Sequence, residues 1–584
     1  MERESKLFAS FASTDFHYFK EDYKKVKNLN LKSFQDMLWK GEEIHLKILL
    51  FTEDMPVYDI EVSKEGLFSP SSSISEENIE LFTLKETLAS IGRGDARAKK
   101  KAVPDIICPL KEKINLDKES FVALFLKIKI PKKASPSLYS GKISFSSKSL
   151  KSPLSLTYNL RVLDLLMPPL EEGDTLIEFW QHPFTIARYY GLLKEEIFTK
   201  KHFFYLKDML KYYKKLGGDS LMATILEDPW NHQSYDRDPS LIIWKRDEKG
   251  DFSFDYTLFD KWIDFNISLG LLKPKENIGK IKCYSLLPWE NLLYYRDYKG
   301  DLLSLKLEVG SPLWKDIFSK FLRDFMNHLE KKGLFNLTYL SIDERSLEEI
   351  SELLSLVLSI KNKKGESFKL SAAINYNLRE NYDILDKIDY ISLGLSHIEH
   401  NSLSLSSLVK RRKNLKLITT LYTCTGDYPN SFSLSEPFES TYTLWYSLYL
   451  GMDGFLRWSL DGWVLDPLED VSYKFWESGD PFLIYPAKKE DKSSTFYSTP
   501  RLEKIKEGIQ DINKIKYLMK NSMEIKEGLE NMLSSLKRPK KGENPYGAST
   551  FYSKEEEDLA YLELKRMKEG LKAFSLEYLS IKEK

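Results

Sequence analysis

FNLTYLSIDER, residues 335–345, is the stretch on which the fold turns. Eight uncharged residues with apolar side chains at both parities end abruptly in Asp343, Glu344 and Arg345. A strand that is apolar on both faces is covered on both faces, as in a parallel sheet flanked by helices. Working outward, the same kind of run recurs as FKLSAAI (368–374), IDYISLGL (388–395), LKLITTLY (415–422) and DGFLRW (453–458). On the other side stand IGKIKCYSLL (278–287), LMATIL (221–226) and DTLIEFW (174–180), which brings the count to eight. Helical patterns separate them. In HFFYLKDMLKYYKKLGG (202–218), Phe203, Leu206, Leu210 and Tyr213 share one face before a glycine stop. A second helix opens at Ser311–Pro312 and stops at Gly333, with Ile317, Phe318, Phe321, Phe325 and Leu329 as its buried stripe. Eight strands with no polar edge fit a closed (β/α)8 TIM-type barrel better than an open sheet.

The first 165 residues have another rhythm. IHLKILLF (44–51), FVALFLKIKI (121–130) and LSLTYNLRVL (154–163) behave as strands. SPSSSISEEN (69–78) and PKKASPSLYSGK (131–142) have loop composition, and no long helix intervenes. The fold class is therefore multidomain α/β and β. An N-terminal β-sandwich is expected over 1–165, the barrel over 166–500 and a C-terminal helical segment over 501–584. In that last segment Leu502, Ile505, Ile509, Ile512, Ile515 and Leu518 fall at helical spacing. A final amphipathic helix from Lys554 carries a Lys/Glu face that reads as solvated.

Composition narrows the function. Of 584 residues, 87 are Lys or Arg and 87 are Asp or Glu, so no broad field draws nucleic acid or an anionic membrane. Three cysteines, Cys108, Cys283 and Cys424, lie far apart and exclude a disulfide framework or a Cys-rich zinc site. Aromatic residues reach 13 %, which suits stacking on sugar rings as well as large cores. No export signal or membrane span is visible. The chain as written is expected in the cytoplasm, and outside it if the sequence is trimmed at its N-terminus.

Barrels carry their chemistry at the carboxyl ends of the strands. Read in order, those ends offer Trp180, Gln181 and His182; Trp230, Asn231, Gln233 and Tyr235; Tyr284 and Trp289; Asp343 and Glu344. Asn375 and Tyr376, Tyr422 and Asp427, and Trp458 and Asp461 follow. Carboxylates among Trp, Tyr, Asn and Gln supply stacking faces, hydroxyl partners and an acid for a leaving oxygen. Asp247–Glu248 is a second adjacent pair, but it sits in the polar turn WKRDEKGD. Asp343–Glu344 differs because a buried strand delivers it. One of its carboxylates could equally cap the helix that begins near Ser346.

Longer segments carry a resemblance. EFWQHPFTIARYYG (178–191), EDPWNHQSYD (227–236), CYSLLPW (283–289), SIDER (341–345), LYTCTGDYPNSF…SEPFES…WYSLYLGMDGFLRWSLDGWVLDP (421–467) and the later GDPFLIYP…EGIQD resemble glycoside hydrolase family 123, the β-N-acetylgalactosaminidases and their relatives, in one order from about Trp39 to Leu518. The resemblance implies a retaining hydrolase that releases β-linked N-acetylgalactosamine with the help of the sugar's own 2-acetamido group. It implies Glu344 as general acid and then base, and Asp343 as the residue that holds and polarises the acetamido N–H. Trp458 is then expected as a floor for the acetamido methyl. Tyr422, Asn231, Gln233, Tyr235, Trp230, His182, Trp289 and Asn375 are the further substrate-binding candidates. The expected partner is a glycan ending in a 2-acetamido sugar, with no cofactor, metal, nucleic acid or membrane. Two alternatives stay open: a hydrolase of β-N-acetylglucosaminides or another glycoside, and a non-catalytic carbohydrate-binding barrel. His397 and His400 form an HxxH without an evident third ligand, and Cys424 has no nearby histidine to activate it. Trp39 is the only tryptophan before Trp180, so the sandwich is expected to support the barrel and not to act as a lectin.

Overall fold

A computed structural model of the chain describes residues 6–92, 98–375, 382–398, 403–491, 493–537 and 554–582. Tyr376 and His400 lie outside the described residues.

The eight apolar runs become eight parallel strands, β1 (Leu176–Phe179), β2 (Ser220–Thr224), β3 (Lys280–Tyr284), β4 (Thr338–Asp343), β5 (Lys369–Ile374), β6 (Tyr390–Gly394), β7 (Ile418–Tyr422) and β8 (Gly454–Arg457). Their spatial order is β1-β8-β7-β6-β5-β4-β3-β2. The sheet curls into a nearly closed barrel. Between β1 and β2 the backbone makes a single bridge, Ile177 to Gly218. Side chains complete that seam: Gln181 Oε1 accepts from the Met222 N–H at 2.9 Å, and the Tyr213 hydroxyl lies 2.8 Å from the Ile177 carbonyl and 3.0 Å from that of Ser220.

The barrel interior is unusually polar. Glu178 and Lys282 pair at 3.2 Å with each side chain 1 % exposed, and the Lys282 ammonium sits 3.2 Å from the centre of the Tyr390 ring. Burial lowers the Lys282 ammonium to about 8, and Glu178 opposes the fall. Ser341 pairs with Ser371 at 2.7 Å, and Ser392 with Thr420 at 2.8 Å. Bulky branched side chains fill most such interiors. Here polar pairs take their place.

Excursions after β2 and β3 build a small sheet of Phe252–Asp255, Ile243–Arg246, Leu292–Arg296 and Leu302–Lys306. The polar turn with Asp247–Glu248 joins its first hairpin.

The N-terminal region forms two sheets around one apolar core. Leu7–Ala12, Glu43–Thr52, Phe121–Lys129, Ile79–Ser90 and Lys100–Pro109 make one. Ser33–Lys40, Leu154–Leu166, Ser137–Ser146, Val57–Lys64 and Ile114–Leu116 make the main path of the other. Ile48, Leu50, Leu124 and Leu126 from the first meet Tyr139, Ile143, Leu156 and Leu160 from the second. One loop expectation fails. Residues 137–142 open a strand, because Tyr139, Ile143 and Phe145 alternate inward while serines and lysine face out.

Helix Pro500–Asn521 lies between these two sheets and the barrel, and most of its charges are buried. Arg501 grips Asp105 at 2.8 Å, both fully buried. Lys514 meets Glu42 at 2.6 Å, Lys506 meets Glu43 at 2.6 Å, and Glu503 takes Lys127. The final helix, Lys554–Lys582, also departs from a solvated face. Lys568 pairs with Glu507 and with Asp511 at 3.3 Å, and Lys572 pairs with Asp36 at 2.6 Å. Trp39 packs edge-on against Tyr517 at 5.5 Å and donates to the Ser575 hydroxyl at 3.2 Å, so it is spent on this joint. No described helix is long and apolar enough to cross a membrane.

Candidate active site

Strand β4 ends at Asp343, and the next residue breaks the pleat. Consecutive residues of a strand point to opposite faces, yet Glu344 takes a left-handed backbone with φ 52°. Such a backbone is costly for a residue with a Cβ and persists where surrounding contacts impose it. It turns the Glu344 side chain into the cavity that Asp343 already faces. Arg345 holds the turn. Its guanidinium donates to the carbonyls of Pro288 at 2.8 Å and Trp289 at 2.9 Å, to Asn291 Oδ1 at 2.8 Å, and pairs with Glu349. Helix Leu347–Ser359 is capped by Ser346 and Glu349 in a capping box, so neither Asp343 nor Glu344 serves as its cap.

The cavity is lined by Trp180, Gln233, Trp289, Tyr422, Trp458 and Trp476 around the two carboxylates. Trp289 donates its indole N–H to the Asp343 carbonyl at 3.2 Å. Tyr422 donates to Glu344 Oε1 at 2.7 Å and Asn375 to Glu344 Oε2 at 3.1 Å. Trp458 is set by Asp480, which accepts its indole N–H at 3.2 Å and pairs with Arg457 at 2.6 Å. Trp476 leans on Trp458 at 6.3 Å and donates to the Gln233 carbonyl at 2.9 Å.

Other candidates stand behind this wall. Trp230 stacks on Trp180 at 5.2 Å, and its buried indole N–H faces Asp343 without completing a hydrogen bond. His182 lies edge-on to Trp458 at 6.4 Å, with Nδ1 2.9 Å from Asp238 and its backbone N–H given to Asp461 at 2.7 Å. Asn231 and Tyr235 do not join the carboxylates. They line a neighbouring groove, and Asn231 also adopts a left-handed backbone, φ 50°.

The electrostatics single out the pair. Asp343 is 6 % exposed. Burial, then the Glu344 charge, raises its carboxyl well above the usual range, and only Trp230 opposes this. Burial also raises Glu344, with Tyr422 and Asn375 pulling it back. No described cation forms an ion pair with either carboxylate. Both side-chain hydrogen bonds to the pair go to Glu344. Cys424 lines the same cavity, and burial raises its thiol well above the ordinary value, which leaves it neutral. Away from the cleft, Glu43, His45 and Glu503 converge as metal ligands do, but Lys506 and Lys127 already neutralise them.

Sequence reading missed Trp476, Asp480, Arg457, Glu178 and Lys282. The first two lie in the stretch 467–499, which has no periodicity to place them. The last two are charges inside strands, and only the closed barrel shows that they meet.

Paired carboxylates at the mouth of a parallel barrel, walled by tryptophans and tyrosine, define a glycosidase. The chain belongs to glycoside hydrolase family 123: the family's catalytic-domain model matches residues 180–518, and its N-terminal-domain model matches residues 11–147. A family 123 glycoside hydrolase from Clostridium perfringens, studied for the details of glycolipid glycan hydrolysis, is 47 % identical over 99 % of this chain and 100 % of its own, with a TM-score of 0.96. β-Glucuronidases of Bacteroides uniformis and Parabacteroides merdae are each 11 % identical, over 78 % and 82 % of this chain and 46 % and 51 % of theirs, with TM-scores of 0.27 and 0.26. Those scores are too low to carry an argument. No match is found among curated proteins. Family membership retires the non-catalytic alternative.

Proposed function

We propose that the chain is a retaining β-N-acetylgalactosaminidase acting through the substrate's own 2-acetamido group. One observation carries this reading: the left-handed turn at Glu344 puts two consecutive carboxylates into one buried cleft, where no described cation forms an ion pair with them. The acetamido carbonyl oxygen attacks the anomeric carbon while Glu344 gives its proton to the departing glycosidic oxygen. The bond to the leaving group breaks and a cyclic oxazolinium forms. Asp343 accepts the acetamido N–H and offsets the positive charge. Glu344 then takes a proton from water as that water attacks the anomeric carbon, which reopens the ring with retention.

The donors around the pair fit such a sequence. An acetamido N–H would give Asp343 a donor, which favours its anion. Tyr422 and Asn375 then stabilise the Glu344 anion that proton transfer creates. Trp458, fixed by Asp480, is the floor for the acetamido methyl, and Gln233 and Trp289 flank the sugar. In this reading the barrel is of the TIM type, its seam sealed by Gln181 and Tyr213. The relative from Clostridium perfringens supports glycolipid glycans as the substrate class.

Initial rates on 4-nitrophenyl β-glycosides test the reading. Turnover of the N-acetylgalactosaminide but not the plain galactoside is expected. Preference for the N-acetylglucosaminide would keep the mechanism and change the sugar. A galactoside cleaved as fast as its 2-acetamido analogue would end the neighbouring-group mechanism.

A further inference from the structure

Stability alone does not explain the Glu178–Lys282 pair. Exchanging a buried ion pair for apolar residues of similar volume is often neutral or stabilising, and branched apolar side chains fill most such barrels. The two oxygens of Glu178 do different things. Oε2 faces the Lys282 ammonium at 3.2 Å. Oε1 takes two donors, the Trp180 indole N–H at 3.0 Å and the Tyr284 hydroxyl at 3.3 Å. Register is the reason. Residues i and i+2 of a strand share a face, so Glu178 lies beneath Trp180 on β1, and Lys282 lies beneath Tyr284 on β3. Trp180 prolongs β1 by giving its backbone N–H to the Arg457 carbonyl at 3.2 Å.

The two anchored rings carry a third. Tyr284 packs against Trp180 with ring centres 4.4 Å apart and against Trp230 at 5.5 Å, and Trp180 stacks on Trp230 at 5.2 Å. This stack reaches the chemistry at two points. Trp180 lines the cleft beside Asp343 and Glu344, and Trp230 turns its buried indole N–H toward Asp343. A buried indole or phenol needs an acceptor. An apolar residue at 178 would leave both donors unpaired, and the rings would shift to find partners. Near reacting groups, a misplacement of ~1 Å can cost ~10²-fold in rate. Paired with Lys282, Glu178 takes no part in the chemistry itself and acts through the rings.

We infer that Glu178 is a positioning residue: it fixes the Trp180–Tyr284–Trp230 stack against Asp343, and Lys282 supplies its counter-charge. The inference rests on the reading that Asp343 acts on the sugar bound in this cleft. Two double variants of the full chain test it. The first combines Glu178→Leu with Lys282→Met, and the second combines Glu178→Gln with Lys282→Met. Both remove the charges, and only the second keeps an acceptor under the two rings. The readouts are the melting temperature, kcat and KM on the 4-nitrophenyl β-glycoside that the wild type cleaves fastest, and the inhibition constant of a thiazoline. Both variants should melt near or above the wild type. The first should lose ~10-fold or more in kcat, with a matching loss in thiazoline affinity and little change in KM. The second should restore most of both. Equal kcat in the two variants, whether both are intact or both impaired, would overturn the positioning role. If the first variant does not fold, Tyr284→Phe takes its place, because it removes one donor and keeps the ring. It should lose ~3-fold in kcat and in thiazoline affinity with little change in the melt, and wild-type values would overturn the inference. The wild type's own preference chooses the substrate. A failed neighbouring-group reading therefore shows in that choice, and a failed positioning role shows in the comparison of variants.

Discussion

The joint and the barrel mouth both bury carboxylates, and they treat them in opposite ways. At the joint between the two-sheet region and the barrel, Glu503 is fully buried with Lys127 on it, His45 at 3.2 Å and Tyr212 at 3.0 Å, and Glu43 holds Lys506 at 2.6 Å. Burial alone would raise Glu503, but Lys127, then His45 and Lys506, outweigh it and hold its carboxyl well below the usual range. Lys506 does the same for Glu43. At the barrel mouth, burial of Asp343 and Glu344 goes unanswered by any described cation, and both carboxyls are raised. The difference separates structural from chemical burial. A buried charge with its partner in place belongs to the fold. A buried pair without one, at the end of a barrel strand, suits a site where positive charge develops, as it does during glycoside hydrolysis.

The largest expected effect breaks the cleft side of this comparison. Glu344→Gln keeps volume and removes the proton donor, so kcat on natural glycans should fall ~10²–10⁴-fold while the melting temperature holds. Wild-type rates from the purified variant would contradict the assignment. Next comes the joint. Glu503→Gln leaves Lys127 buried without its anion, a change that typically costs about 3–5 kcal/mol, and thermal melts should drop by several degrees with little change in KM below the melt. An unchanged melt would mean that the joint's charges are not paired as described.

A smaller effect has the opposite sign. Asp343→Asn removes a carboxylate that burial disfavours, so it should stabilise the chain by about 1 kcal/mol at neutral pH while impairing turnover. pH sharpens this contrast. A carboxyl raised in the folded state costs stability only above the ordinary carboxylate range, so the gain from Asp343→Asn should vanish as pH falls into that range. Glu43 and Glu503 are lowered in the folded state. Their contribution is fully present above the ordinary range and is lost as pH falls into and below it. Melts of wild type and both variants from neutral to acid pH read both trends, and parallel curves would erase the distinction.

This division also sets what could be read in the sequence. The eight barrel strands were legible because apolar residues recur in them at both parities, even with Glu178, Lys282 and several hydroxyls on the inward face, and Asp343–Glu344 stood out as charges at the end of such a strand. The turn that brings both carboxylates into one cleft was legible only as a geometric demand, since φ at Glu344 is imposed by Arg345 and the Pro288–Asn291 loop. The joint was not legible at all. Lys506, Glu503 and Lys514 fall on helical positions that a solvated helix would also charge, and their partners Glu43, Lys127 and Glu42 lie several hundred residues away. Asn231 and Tyr235 follow β2 in the sequence, and they line the neighbouring groove instead of the cavity around the two carboxylates.

The most direct test of the central claim is the affinity of a thiazoline mimic of the cyclic intermediate for wild type and for Asp343→Asn, measured by competition against the free sugar. If Asp343 is the uncompensated anion reserved for the cationic intermediate, the wild type should bind the mimic ~10²-fold or more tighter than the sugar, as transition-state-like ligands do, and the variant should lose most of that advantage. A mimic that keeps its full advantage in Asp343→Asn, or has none in the wild type, would contradict the account.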